Sequence, residues 1–241
     1  MRLPEIHGVI RRRILVNFRV DPDIVQRQLL GKFRPKLHSG FAIAGICLIR
    51  LEKIRPRFLP PFLGVSSENA AHRIAVLWEN EKGQTQEGVF VPRRDTNSVL
   101  NTVAGGRIFP GDFHLAQFVV GDSSGNIDFE MKSKDGKVAV RLLAKTTKEM
   151  PSDSVFSTLK EASDFFEPGS LGYSATSNSQ RLDGMTLKTK TWSVEPLEVE
   201  QVYSSYFLDE EQFPKASVVF DCALLMRNIE HAWQSAPALR I

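Results

Sequence analysis

The chain has 241 residues, 42% of them hydrophobic and 24% charged, and a formal net charge of +3. That balance excludes a disordered, highly charged segment, and an excess this small, with no basic stripe, argues against a nucleic-acid partner. No run approaches the ~20 apolar residues of a membrane span, and the opening MRLPEIHGVIRRR lacks the apolar stretch of a secretion signal.

In chain order, residues 14–20 (ILVNFRV) read as a strand. Residues 20–31 (VDPDIVQRQLLG) then read as a short helix, with Asp21 as N-cap, Pro22 at the first helical position and Gly31 beyond the end. Residues 41–51 (FAIAGICLIRL) read as a strand buried on at least one face. IRPRFLPPFLG, 54–64, is too rich in proline for either regular element. Its Phe58, Leu59, Phe62 and Leu63 suggest an apolar lid. Residues 72–79 and 86–93 flank EKGQ as a hairpin. Asp95 or Thr96 could cap a helix through SVLNTVAGG, which Gly105-Gly106 would end.

Strand signals then become dense. FHLAQFVV, GNIDFEMKS and KVAVRLLAKT read as strands, with Asp135-Gly136 as a hairpin turn. STLKEASDFFEPG reads as a helix stopped by Pro168-Gly169. LGYSATSN, MTLKTKTWSVE and LEVEQVYSSYF form a meander with Asp183-Gly184 at a turn, and ASVVFDCALLM is a last strand. Many short strands and few helices predict a mainly β chain, an antiparallel barrel or sandwich. With no long linker or repeat, residues 1–241 read as a single domain.

Chemistry-bearing signals are sparse. Phosphate-binding, dinucleotide-binding, nucleophile-elbow and zinc-protease motifs are absent. The five histidines (His7, His38, His72, His114 and His231) stand apart, so neither a metal nor a cofactor is expected. Cys47 and Cys222 each lie in an apolar run, which fits buried, reduced thiols in a cytoplasmic protein. Sixteen Phe against three Tyr and three Trp suit a dry core or an apolar pocket wall. Arginine clusters at 11–13 and 93–94 read as solvated faces. Glu68, in GVSSENAAHR, enters apolar surroundings, where a carboxylate is costly unless paired. An ion pair with an arginine is its plain structural role. His72 and Arg73 follow, and strand alternation turns one of them inward.

The order and spacing of RRRILVNFRVDPDIVQRQLL, IRPRFLP, GVSSENAAHRIAV, FVPRRDTNSVLNTVAGGRIFPGDFHLA and FDCALLMRNIEHAW resemble the acetoacetate decarboxylase-like superfamily. The resemblance is strongest to an uncharacterised branch lacking the Schiff-base lysine. It covers most of the chain and implies a cone-shaped, mostly antiparallel β-barrel with an internal apolar pocket.

In the decarboxylases a lysine, activated by a second lysine, forms an imine with a β-keto acid. The matching positions here are Phe113 and His114, so imine-based decarboxylation is not expected. The pocket glutamate of those enzymes aligns with Glu68. Their arginine aligns with Arg11, although a slip of one along Arg11-Arg12-Arg13 changes the residue. The resemblance thus implies His114 and Glu68 as an acid/base pair and Arg11, Phe113 and Arg73 as substrate-binding residues. Only one of Phe113 and His114 can face the pocket.

The expected ligand is a small, partly apolar carbonyl or carboxylate compound, handled by lyase or isomerase chemistry without an imine. A non-catalytic binding barrel is the alternative, and a protein-interaction module using the proline-rich loop is another. Barrels of this size also self-associate, so a homo-oligomer is compatible with the sequence.

Overall fold

The computed structural model describes residues 5–103, 111–175 and 181–240. Among the described residues thirteen strands form one hydrogen-bonded sheet. In chain order they are β1 (Ile6–Val20), β2 (Arg34–Pro35), β3 (Leu37–His38), β4 (Phe41–Pro56), β5 (Val65–Glu79), β6 (Thr85–Thr96), β7 (Phe113–Ser123), β8 (Asn126–Ser133), β9 (Ala139–Thr146), β10 (Leu171–Ala175), β11 (Arg181–Thr189), β12 (Glu195–Ser204) and β13 (Val218–Arg240). Among the described residues three short α-helices decorate the sheet: α1 (Pro22–Gln26), α2 (Val99–Val103) and α3 (Leu159–Phe166). Among the described residues no helix is long and apolar enough to cross a membrane.

The sheet closes on itself twice. One ring runs β6–β7–β8–β9–β12–β13–β1–β4–β5 and back to β6. A second runs β6–β10–β11–β13–β1–β4–β5 and back to β6. The long strands β1, β4, β5, β6 and β13 belong to both. Most pairings are antiparallel, and β6 pairs in parallel with both β7 and β10. The fold is thus a mainly β, ring-closed architecture.

Side-chain alternation divides the shared strands between two interiors. Ile14, Val16 and Phe18 of β1 and Ala44, Ile46 and Leu48 of β4 meet Phe129, Met131 and Leu142 from the far side of the nine-stranded ring. That ring is filled by its own side chains. The opposite face of the same strands carries Leu15, Ile43 and Cys47, and α3 packs Phe165 and Phe166 against it.

Several elements differ from their sequence-based expectation. The first and last strands are far longer than 14–20 and 216–226, because each is paired along its length: Ile6 opposite Trp233, Val20 opposite Val218. Helix α1 spans five residues, although Asp21 does accept from the Asp23 amide at 2.8 Å. Asp95 and Thr96 are not helix caps. Both lie in β6, and Ser98 Oγ accepts from the Asn101 amide at 3.2 Å at the start of α2. The expectation for Gly105-Gly106 falls outside the described residues.

Asp183-Gly184 is not a turn but part of β11. A Cβ on Gly184 would lie 2.5 Å from the Tyr173 ring, so the glycine supplies room rather than an unusual φ. The loop after β4 is not a lid over an apolar interior: Phe58 is 77% and Phe62 82% exposed. Asp135-Gly136 does turn between β8 and β9, with Gly136 at φ 72°.

Candidate functional site

Every strand of the seven-stranded ring contributes to the wall of one cavity of about 130 Å³. Arg13 comes from β1; Cys47, Ile49 and Leu51 from β4; Asn69, Ala71 and Arg73 from β5; Val89, Val91 and Arg94 from β6. Gly172 of β10, Met185 and Leu187 of β11 and Trp233 of β13 close the circle, joined by Phe113, Asn101 and Gly169-Ser170. The cavity is therefore the lumen of the smaller ring. A second space of about 30 Å³ shares Arg13, Arg73, Val89 and Gly169 with it and extends to Lys36 and Glu87, which pair at 2.5 Å.

The polar part of the wall is dominated by guanidinium groups. Arg13 Nε donates to Cys47 Sγ at 3.2 Å, and its guanidinium stands 5.8 Å from the Trp192 ring. Arg73 is buried, donates to Asn17 Oδ1 and lies 5.0 Å over Phe166. Its Nε has no partner. Arg94 donates to Ser174 Oγ at 3.2 Å and lies 5.8 Å from the Phe113 ring.

Among the described residues none of these three arginines is paired with a carboxylate. Arg12, Arg19, Arg93 and Arg227 all are. Burial, with a smaller push from Arg13, takes the pKa of Arg73 down to about 10. Burial does the same for Arg94. Both shifts express a cation removed from water without a counter-charge.

Of the five residues singled out from sequence, Phe113 and Arg73 line this cavity. His114, one step along β7, faces away from it, with Nδ1 3.3 Å from Asp135 Oδ2. Glu68 lies in a cross-strand row with Arg12 and Arg50, on the face opposite the cavity. Arg12 donates to its Oε2 at 2.7 Å and also reaches Asp122, which Arg227 grips bidentately. Burial raises the Glu68 pKa against the opposing pull of Arg12. Arg11 sits at a register shift in β1, is exposed, and donates to Asn228 Oδ1 at 2.6 Å.

Asp95 also touches the cavity wall, but its carboxylate is held by Arg93 through Nε at 3.0 Å and a second nitrogen at 2.9 Å. Asp135 joins the same cluster. Against its own burial cost, hydrogen bonds from Ser133, the Lys137 amide and Arg93 hold Asp135 well below the usual carboxylate range. No group of His, Cys, Asp and Glu among the described residues is arranged to hold a metal ion.

Sequence reasoning missed Arg13, Asn69 and Arg94. Alternation already puts 13 and 69 opposite 12 and 68. Both faces of β1 and β4 are apolar, however, so alternation cannot say which face is the lumen.

The family model DUF2071, described as an uncharacterized conserved protein, matches residues 9–224. No curated protein matches the sequence. Among solved structures the chain is similar to the acetoacetate decarboxylase of Legionella pneumophila. The TM-score is 0.58 at 14% identity, over 98% of this chain and 88% of that one. It is also similar to an acetoacetate decarboxylase-like enzyme of Sphingomonas wittichii, with a TM-score of 0.57 at 12% identity, covering 98% and 92%. The enduracididine biosynthesis enzyme MppR, complexed with pyruvate, gives a TM-score of 0.58 at 12% identity, covering 100% and 91%. At these identities the likeness is one of fold.

Proposed function

The chain belongs to the DUF2071 family, and from that premise we propose that it binds a small, partly apolar oxo-carboxylate or related carboxylate in the lumen of the seven-stranded ring. The observation that carries this reading is the charge state of the wall. Three guanidinium groups without carboxylate partners surround a space otherwise lined by Ile49, Leu51, Val89, Val91, Leu187 and Trp233. A carboxylate supplies the missing counter-charge, and arginine is suited to grip it through two parallel hydrogen bonds. The apolar remainder accepts a short carbon skeleton. That MppR is complexed with pyruvate on the same fold is consistent with this ligand class.

Arg13 and Arg73 are the residues assigned to the carboxylate, with Phe113 as an apolar wall. The described lining contains no lysine, so an imine is not part of the reading. His114, Glu68 and Arg11 are not used, because none of them lines the cavity. The binding reading therefore stands ahead of acid/base turnover, and two buried free thiols fit a protein of a reducing cytoplasm.

The test is a thermal-shift titration with pyruvate, 2-oxobutanoate and acetoacetate, run on the parent protein and on Arg73→Gln. A ligand at 100 times its Kd stabilises the native state by about 2.7 kcal/mol. The carboxylates raise Tm in the parent, and the variant loses most of the rise. Acetone, which has no charge, leaves Tm unchanged. An absence of any shift with every carboxylate overturns the reading. Deuterium uptake into the pyruvate methyl group, followed by proton NMR in heavy water, separates catalysis of enolisation from binding alone.

A further inference from the structure

The three arginines are held by different hydrogen-bond partners. Arg13 and Arg73 converge on the β1–β4 side of the lumen, where Arg13 meets Cys47 and Arg73 crosses Gly45 to reach Asn17 of β1. They are close enough for the charge on Arg13 to depress the pKa of Arg73. Arg94 is held instead by Ser174 of β10, beside the Phe113 ring of β7, with Cys47 still within reach of its charge. Its backbone lies two strands from Cys47, through Ala71.

The acidic residues nearby are engaged elsewhere: Asp95 with Arg93, and Glu87 with Lys36. One monocarboxylate at the Arg13–Arg73 pole leaves the half-buried Arg94 with the neutral Ser174 hydroxyl as its partner and no counter-charge. We propose that the lumen is built for a short dianion with two acidic groups, one at the Arg13–Arg73 pole and one at Arg94. This rests on the carboxylate-binding reading above and narrows its ligand class. At about 130 Å³ the cavity is slightly smaller than the roughly 150 Å³ engineered cavity that holds benzene, which limits the ligand to a dicarboxylic acid of about four or five carbons.

The test compares ligands of equal chain length: succinate with butyrate and glutarate with pentanoate. Their affinities are read by calorimetry at fixed ionic strength on the parent chain, on Arg94→Gln and on Arg94→Lys, with inorganic phosphate as a compact dianion. Each dicarboxylate is expected to bind the parent at least tenfold tighter than its monocarboxylate partner. Arg94→Gln should cut that ratio below about threefold, and Arg94→Lys should keep part of it, because the charge remains.

Equal affinities for mono- and dicarboxylates in the parent overturn the proposal and leave the carboxylate reading intact. So does a ratio that survives in Arg94→Gln. If phosphate binds as tightly as the dicarboxylates and displaces butyrate, the arginines form one compact site and the two-pole assignment is wrong. If neither monocarboxylates nor dicarboxylates bind, both readings fall together.

Discussion

A single register step separates a pocket residue from a structural one in this protein. Asn69 and Glu68 are adjacent in β5, yet Asn69 lines the lumen while Glu68 is held by Arg12 on the other face. Phe113 and His114 divide in the same way. The residue scale also sets a pH response. His72 and His231 are buried, and burial lowers their pKa to about 3 and about 4. Unfolded, each titrates near the ordinary 6.5. Between these values the unfolded chain binds more protons than the native one, so stability is full above about pH 6.5 and falls as the pH drops. Each histidine contributes a slope of about 1.4 kcal/mol per pH unit in that window. His231→Phe should therefore roughly halve the dependence of the urea midpoint on pH between 6.5 and 4.5. An unchanged slope would show that the His231 imidazole already takes a proton in the native protein.

At the scale of elements, α3 is held in place by its first turn. Thr158 Oγ1 accepts from the Glu161 amide at 3.1 Å, and Glu161 Oε2 accepts from the Ser157 amide at 2.7 Å. Thr158→Ala should cost about 1 kcal/mol, measurable by chemical denaturation. Because α3 seats Phe166 under Arg73, the same variant should also weaken carboxylate binding. The loop after β4 behaves in the opposite sense. With Phe58 and Phe62 largely exposed, Phe62→Ser should change stability by less than about 0.5 kcal/mol, whereas a core phenylalanine loses several times that on truncation. A large loss in thermal denaturation would mean the ring is covered in solution. Most elements were legible from apolar alternation and turn residues. The errors lie where a residue serves space rather than backbone conformation, as Gly184 does, and where a strand is lengthened by its partner. Residues 227–240 (RNIEHAWQSAPALR) hardly alternate, and become a strand because β1 and β11 both pair with this end of β13.

For the whole molecule, the two rings share five long strands, so the wall of one is also the wall of the other. We expect residues 1–241 to unfold as one unit: far-UV dichroism and tryptophan fluorescence should report a single coincident transition in urea. Two separated transitions would mean that β10 and β11 can leave while the nine-stranded ring stands. The sequence by itself determined the β character of the chain, most of its strands and its turn at Asp135-Gly136, because these follow from local pattern and order. Only the tertiary structure decided that the sheet closes into two rings, that one is filled and the other hollow, and that Arg13, Arg73 and Arg94 surround the hollow one. The physical reason is that β1, β4 and β5 bury both faces. Their composition says that each face is covered, while what covers it, a packed core or a cavity, depends on strands more than a hundred residues away.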